Sequence, residues 1–221
     1  MADIIGTALI LHETEIAALV GSGKEDSVFG FELSDEAVSI EGRMKGINSL
    51  LRRGLLCVSG ENYSLCGEFA EMLKCVMSPE QWFVAEQMNA LIGCRDKSRV
   101  LIRAVSSEER RFSVMAVDEY SLTDILSDES LLLENDEDSI MERDLPNEKA
   151  LREMLENEEN MLCCIRSRDD RLMLTVLQAG LCSIAAAVSS GKYVCRLYSR
   201  DCFIGMLGEL FEGEVTENDN H

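Results

Sequence analysis

The alternation of apolar and polar positions is clearest between Glu41 and Met77, and it predicts a helix followed by a hairpin. Apolar side chains recur at three- and four-residue spacing at Met44, Ile47, Leu50 and Leu51, so one face of this helix is apolar. Gly54 is typical of the left-handed residue that ends a helix. The apolar runs on either side of Ser59-Gly60-Glu61-Asn62 predict two short strands joined by a tight turn.

A second amphipathic helix follows the hairpin, with Phe69, Leu73 and Val76 on one side and Pro79 beyond its end. The order helix, turn, hairpin, helix is typical of a winged helix-turn-helix unit. Upstream, Thr7 to Leu11 predicts a strand, and the polar stretch that begins at His12 opens a helix running through Val20. Ser34, followed by two acids, predicts another helix start.

Two sets of strands follow the winged-helix-like region. In the first set, three runs predict strands: Trp82 to Met88, Val100 to Val105 and Phe112 to Val117. We expect residues 93–98 to connect the first two strands and residues 106–111 to form a turn between the last two. A helix begins at Tyr120-Ser121.

The second set begins with a helix from Asn147 to about Glu156, and a last helix runs from Ser199 through Phe211. Between them we predict four strands, of which the Ala-rich run from Leu181 to Val188 could be helical instead: Met161 to Ile165, Leu172 to Leu177, Leu181 to Val188 and Tyr193 to Leu197. The unit helix, antiparallel strands, helix thus recurs after about 80 residues. This indicates either an internal duplication or a chance similarity of amphipathic elements.

The predicted fold class is α+β, a winged-helix-like N-terminal region plus a duplicated antiparallel β-sheet flanked by helices. The winged-helix-like region spans 1–79, the first strand set 80–133 and the second 147–213. Residues 134–146 form an acidic linker, because Glu134 to Asp144 is nearly all charged or small and polar. Either it is a solvated connection or it attracts a basic partner. We expect residues 214–221 to be a disordered tail.

The charge balance narrows the choice of partners. With 41 acidic and 21 basic residues the chain carries a net charge of −20, which repels nucleic acid and anionic membrane surfaces. The first residues lack the basic start of a secretory signal, and no apolar stretch approaches the roughly 18 residues of a membrane-spanning helix. We therefore expect a cytoplasmic protein without membrane insertion.

No motif in the chain indicates an enzyme or a cofactor. The nine cysteines include no Cys-x-x-Cys pair, and only His12 and His221 could join them around a metal, so we expect buried, reduced thiols. Phosphate-loop, dinucleotide and nucleophile-elbow motifs are missing as well. The interpretation is a non-enzymatic protein that needs no cofactor.

The basic residues suggest two kinds of binding site. Arg43, Lys45, Arg52 and Arg53 lie on the helix that a winged-helix DNA reader would use, but four cations among 41 acids make a poor phosphate-binding surface. Loops between strands more often carry protein contacts. In the first strand set, two loops carry local cations that could orient an acidic partner: Arg95, Lys97, Arg110 and Arg111. Solvated loops without a partner are the alternative.

The order of elements resembles the EspG-like chaperones of type VII secretion systems. The residues that carry the resemblance lie in the first 80 or so: ALILHETEIAALV at Ala8 to Val20, LLRRGLL at Leu50 to Leu56, and the helix from Glu68 to Val76 that is followed by Pro79. The acidic segment at 134–144 and the number of cysteines depart from that family.

The resemblance implies a duplicated sheet flanked by helical bundles, and a cytosolic chaperone or adaptor that binds secreted helical-hairpin substrates. The alternative is a transcriptional regulator, in which the winged helix binds DNA and the C-terminal half senses a ligand or partner. The docking surface and the oligomeric state do not follow from the sequence.

Overall fold

The computed structural model describes residues 4–5, 8–21, 27–28, 31–106, 108–128, 145–179, 182–189 and 191–213. The chain divides into two compact units. Unit 1 comprises Met1–Trp82 and Asn89–Val117, and unit 2 comprises Phe83–Met88 and Asp118–His221. The acidic segment at 134–144 and the tail at 214–221 lie outside the described residues.

Unit 1 begins with strands β1 (Ile4–Ile5) and β2 (Ala8–His12) and helix α1 (Glu13–Val20). The elements that follow, up to the second long helix, are β3 (Ser27–Val28), β4 (Phe31–Glu32), α2 (Asp35–Val38), α3 (Ile40–Arg52), β5 (Leu56–Ser59), β6 (Asn62–Leu65) and α4 (Ala70–Met77). The remaining strands are β7 (Gln81–Ala85), which continues into unit 2 after Trp82, β8 (Ala90–Arg95), β9 (Ser98–Ser106) and β10 (Arg111–Ala116).

The main sheet of unit 1 has the strand order β1, β2, β10, β9, β8, and every pair is antiparallel. Four consecutive residues of β2, Ala8 to Leu11, are buried, so both faces of this strand are covered. Two small hairpins, β3 with β4 and β5 with β6, lie apart from this sheet.

Helix α3 approaches α1 and α2 most closely at two glycines. A Cβ atom on Gly46 would lie 2.0 Å from the Thr14 carbonyl oxygen and 3.0 Å from the Ala18 Cβ. A Cβ atom on Gly42 would lie 2.0 Å from the Glu36 carbonyl oxygen and 2.7 Å from that of Ala37, both in α2. These contacts are closer than any other residue allows, so the glycines set the spacing of the helices.

Unit 2 contains α5 (Glu119–Asp128), α6 (Glu148–Leu155), a short 3₁₀ helix (Glu158–Asn160) and α7 (Arg200–Glu212). Its strands after the end of β7 are β11 (Met161–Ser167), β12 (Leu172–Ala179), β13 (Cys182–Ser189) and β14 (Lys192–Leu197). They pair antiparallel in the order β7, β11, β12, β13, β14. On one face, Leu151 of α6 packs against Leu177, Ile184 and Ala186.

The structure confirms the α+β class, and helix, four strands, helix occurs twice along the chain: α4 with β7–β10 and α5, then α6 with β11–β14 and α7. The predicted helix starts at His12, Ser34, Asn147 and Ser199 are confirmed as N-caps. Gly54 has φ of 73° after α3, as predicted. A winged helix stays a prediction, although α3, the β5–β6 hairpin and α4 follow in the expected order.

Two details of the strand prediction need correction. Residues 93–98 are not a loop, because Ala90–Arg95 forms β8, and a turn at Asp96-Lys97 leads into β9. Gly93 fits a strand here because its missing side chain leaves room for the Trp82 ring, which would lie 2.9 Å from a Cβ atom. The Ala-rich run is a strand, β13, and the structure excludes the helical alternative.

Candidate protein-binding surfaces

Arg110 is tied to the interior of unit 1. Its Nη1 lies 2.9 Å from Oε2 of Glu13, a carboxylate that is buried at the start of α1. Ser34 also donates to Glu13, through its backbone N–H and its hydroxyl. Burial opposes ionisation of Glu13, but the hydrogen bonds from Ser34 and the ion pair with Arg110 outweigh it and lower its pKa.

Arg111, the next residue, makes a surface contact only. Its Nε lies 3.0 Å from Oε2 of Glu109, and both side chains are largely in solvent. Pairs of this kind contribute little to stability. Arg110 and Arg111 are therefore adjacent and similarly exposed arginines, but Arg110 pairs with a buried carboxylate and Arg111 with an exposed one.

Arg95 and Lys97 lie at the turn between β8 and β9. The Arg95 guanidinium donates to the Ser78 hydroxyl and carbonyl oxygen just after α4, and Lys97 is exposed. This guanidinium accordingly helps to hold the end of α4 against the turn.

The two loops cannot form one docking site. In an antiparallel meander, the β8–β9 turn and the β9–β10 turn lie at opposite ends of β9. Eight residue steps separate Ser98 from Ser106, a distance of roughly 26 Å along the strand. The pair Arg95 and Lys97 and the pair Arg110 and Arg111 would have to contact different parts of a partner.

Two of the four basic residues on and just after α3, Lys45 and Arg53, are held by acidic side chains. Arg53 lies within 2.6–2.8 Å of both carboxylate oxygens of Glu15, which is 2% exposed, and its Nη2 donates to the Ile10 carbonyl oxygen. Glu15 also accepts the Ser49 hydroxyl and the backbone N–H of His12. On the outside, Lys45 is paired with Glu36 and Glu41.

The outer surface of α3 carries a stripe of apolar side chains, of which two are exposed among the residues that the structure describes. Ile40 is 86% exposed and Met44 46%, and both follow the helical spacing that continues to the partly buried Ile47 and Leu51. The sequence pattern predicted Met44, Ile47 and Leu51 of this stripe but wrongly grouped Leu50 with them, because Leu50 lies with Gly42 and Gly46 on the face that packs on the rest of unit 1.

The β5–β6 hairpin has the same character at its tip. Val58 and Tyr63 are cross-strand partners, 65% and 51% exposed. The next pair on the same face toward the base, Leu56 and Leu65, is more deeply buried. The apolar face of the hairpin thus extends from the body of unit 1 into solvent.

Unit 2 offers a shallow groove of about 210 Å³ beside α6. The Arg152 guanidinium lies 4.4 Å from the centre of the Tyr193 ring, and Leu155, Met173 and Val188 line the rest. Glu148 pairs with Arg152 at 2.6 Å. The Arg152 guanidinium over the Tyr193 ring closes part of the groove. A volume of about 210 Å³ suits one side chain rather than a helix.

The nine cysteines differ in burial: four are buried, one is exposed, and four are only partly buried, namely Cys66, Cys182, Cys195 and Cys202. Cys75, Cys94, Cys163 and Cys164 are buried, as expected, and burial raises the pKa of Cys75 to about 11 and that of Cys163 to about 12. Cys57 on the hairpin is exposed, and contact with Ser64 and with the neighbouring Cys66 thiol lowers its pKa. The expectation of buried thiols is therefore wrong for Cys57.

Across the described ranges, no cluster of three or more His, Cys, Asp or Glu side chains is arranged to hold a metal ion. The described helices include none that is long and apolar enough to cross a membrane.

Comparisons with known proteins agree with the fold. No protein-family model matches the chain, and no curated protein matches it. A search of solved structures finds the Mycobacterium tuberculosis type VII secretion system chaperone EspG5, determined in complex with a PE25-PPE41 dimer. The match has a TM-score of 0.52 at 13% identity and covers 95% of this chain and 97% of that one. At this identity the likeness shows a related fold.

Proposed function

We propose that this protein is a non-enzymatic protein-binding module, a cytosolic chaperone or adaptor for a secreted partner of the helical-hairpin type handled by type VII secretion systems. The acidic linker at 134–146 stays a prediction, and the two compact units, which divide within β7 and after Val117, do not coincide with the predicted ranges 1–79, 80–133 and 147–213. No cofactor is required. The four loop cations Arg95, Lys97, Arg110 and Arg111 are kept as candidate partner contacts, divided between two ends of unit 1.

The observation that carries this proposal is the apolar surface that α3 leaves open. A folded protein gains by covering large apolar side chains, and contiguous exposed patches commonly mark interaction sites. Ile40 and Met44 remain in solvent although Gly42, Gly46 and Leu50 of the same helix are buried. The related fold of EspG5, a chaperone solved with a protein dimer bound, supports the same class of function.

Co-purification with a cross-linker, from the cells in which the protein is native, tests the proposal. We expect one secreted, helix-rich protein to be recovered in stoichiometric amount, and co-expression with the chaperone to keep that protein soluble. Recovery of a partner that is soluble without the chaperone, or of nucleic acid in place of protein, would contradict it.

The regulator alternative loses support at α3. A DNA-reading helix needs cations free to contact phosphate, but Arg53 is bound to Glu15 and Lys45 to Glu36 and Glu41, which leaves only Arg43 and Arg52 of the four in a chain of net charge −20. We therefore expect no duplex binding at physiological salt in an electrophoretic mobility assay. Submicromolar binding that weakens when Arg43 and Arg52 are replaced by Gln would favour the regulator instead.

A further inference from the structure

The exposed stripe of α3 has the dimensions of a helix-docking surface. Ile40, Met44, Ile47 and Leu51 are spaced by four, three and four residues, which places them along one side of the helix. Eleven residue steps of helix span about 16 Å, or three turns. A second helix that packs along this stripe would meet the apolar positions with its own side chains at the same spacing.

The charge beside the stripe is opposite to that of the chain as a whole. Helix α3 carries three cations, Arg43, Lys45 and Arg52, against one acid, Glu41, in a protein of net charge −20. Lys45 is neutralised locally by Glu36 and Glu41. Among the described residues Arg43 and Arg52 make no ion pair, and the Nε of Arg43 is buried without a hydrogen-bond acceptor.

These two arginines flank the stripe. Arg43 lies three residues after Ile40 and four before Ile47, so its side chain is next to both on the helix surface. Arg52 follows Leu51 at the end of the helix, on the other side of the stripe. Carboxylates on a docked helix would reach both guanidinium groups, whereas cations there would be repelled.

Resting on the proposed function, we infer that the surface formed by Ile40, Met44, Ile47 and Leu51 and flanked by Arg43 and Arg52 docks an acidic amphipathic helix of the partner protein. The partner helix presents apolar side chains to the stripe and Asp or Glu residues to the two arginines. A second copy of this chain fits less well, because two copies of α3 would bring the same arginines together.

Two synthetic peptides of about 15 residues, constrained to be helical, provide the probes. Both carry Leu at the spacing of the stripe, and the flanking positions are Glu in one peptide and Lys in the other. Fluorescence anisotropy with the full-length protein measures their dissociation constants. We expect saturable binding of the Glu peptide, and binding of the Lys peptide that is at least about tenfold weaker.

Variants of the full-length protein locate the binding. Ile40→Gln with Met44→Gln removes the two most exposed apolar groups of the stripe. We expect this double variant to bind the Glu peptide about tenfold more weakly, or worse. Arg43→Gln with Arg52→Gln should bind the Glu peptide about fivefold more weakly and should not lose affinity for the Lys peptide. Val105→Gln is the control, since Val105 is an exposed apolar residue of unit 1 on β9.

Three results would overturn the inference: equal binding of both peptides, binding that is insensitive to the Ile40 and Met44 changes, or a dimer in sedimentation that those changes abolish. Its failure is separable from failure of the proposed function. If the co-purified native partner is captured equally by the Ile40 and Met44 variant, docking lies elsewhere and the chaperone proposal stands. If the Glu peptide binds as expected but no secreted partner is recovered, the surface stands and the chaperone proposal falls.

Discussion

The two faces of α3 differ in how they use small, polar and apolar side chains. Beside the buried Leu50, the inner face carries Gly42, Gly46, Ser49 and Arg53, which make close contacts with backbone or with a buried carboxylate. The outer face carries Ile40 and Met44 in solvent. Close backbone approach and a satisfied ion pair position this helix, so the apolar residues outside are left available for another task.

The inner face is stable because each charge in it is matched. Glu15 accepts hydrogen bonds from Arg53, Ser49 and the His12 backbone, which compensate for the loss of water around its carboxylate. Arg53 in turn donates to the Ile10 carbonyl oxygen. Removing either Glu15 or Arg53 would destabilise the protein, since the remaining charge would be buried alone. The outer face has no such dependence.

The largest effect is expected at Gly46. A methyl group there would overlap the Thr14 carbonyl oxygen, so Gly46→Ala must push α1 and α3 apart. We expect a loss of about 4 kcal/mol in the free energy of unfolding, or failure to fold. Gly205→Ala in α7 is the matched control, because no atom lies within 4 Å of its added Cβ. Urea denaturation should show that variant to be unchanged or slightly stabilised, and equal effects at both positions would contradict the close contact.

Removing Arg53 is expected to have the next largest effect. Arg53→Ala leaves the Glu15 carboxylate, 2% exposed, without its cation, at a cost of about 3 kcal/mol. Arg52→Ala changes the neighbouring exposed arginine and should alter the free energy of unfolding by less than about 0.5 kcal/mol. Similar losses for the two variants would mean that Glu15 finds another partner or is hydrated.

The sequence predicted α3 as a helix but not its orientation. Periodicity places Met44, Ile47, Leu50 and Leu51 on one side, and the natural inference is that this side is buried. Among them only Leu50 is fully buried. The missed signal is Gly42 with Gly46, one turn apart, since the absence of side chains on this face lets α2 approach at Gly42 and α1 at Gly46. Which apolar face has a partner is decided by tertiary contacts that periodicity does not contain.

The caps and turns were predicted more successfully because their causes are local. Ser34, Asn147 and Ser199 accept hydrogen bonds from residues three positions along the chain. Strand β8 was missed because Gly93 and Cys94 interrupt its apolar run, and the Trp82 ring that fills the space beside Gly93 is eleven residues away. The sequence identified the four loop cations as candidate partner contacts, and that stays a prediction. Their positions in the sequence do not reveal that Arg110 binds buried Glu13.

Arg110 and Arg111 provide a matched pair for comparing a buried ion pair with an exposed one. The two side chains are 48% and 47% exposed, but Arg110 pairs with buried Glu13 and Arg111 with exposed Glu109. We expect Arg110→Gln to cost about 1.5 kcal/mol and Arg111→Gln less than about 0.5 kcal/mol in thermal or urea denaturation. Charge reversal of both residues should lower the melting temperature through Arg110, because it places a second carboxylate beside buried Glu13. Equal losses of stability in Arg110→Gln and Arg111→Gln would show that the pairing of Arg110 with Glu13 is not the cause.

Glu13 also makes the inner contacts of unit 1 sensitive to acid. Its pKa is lower in the folded protein than the ordinary value of 4.5, so its contribution to stability is complete above pH 4.5. That contribution is lost as the pH falls through the lowered, folded pKa, where protonation breaks the pairing with Arg110. We expect the free energy of unfolding of the wild type to fall more steeply below pH 4.5 than that of Glu13→Gln. Parallel pH profiles would contradict this assignment.

The smallest effect on stability is expected on the outer face of α3. Ile40→Gln with Met44→Gln removes side chains that the folded protein leaves 86% and 46% exposed, and Gln preserves helix propensity. The free energy of unfolding should change by less than about 1 kcal/mol, while capture of the partner helix weakens. Stability and binding thereby separate on one helix: Gly46 and Arg53 act on folding, and Ile40 and Met44 on recognition. A loss above about 2 kcal/mol on urea denaturation would show that this stripe is already covered within the folded protein, because exposed side chains have no such contribution to lose.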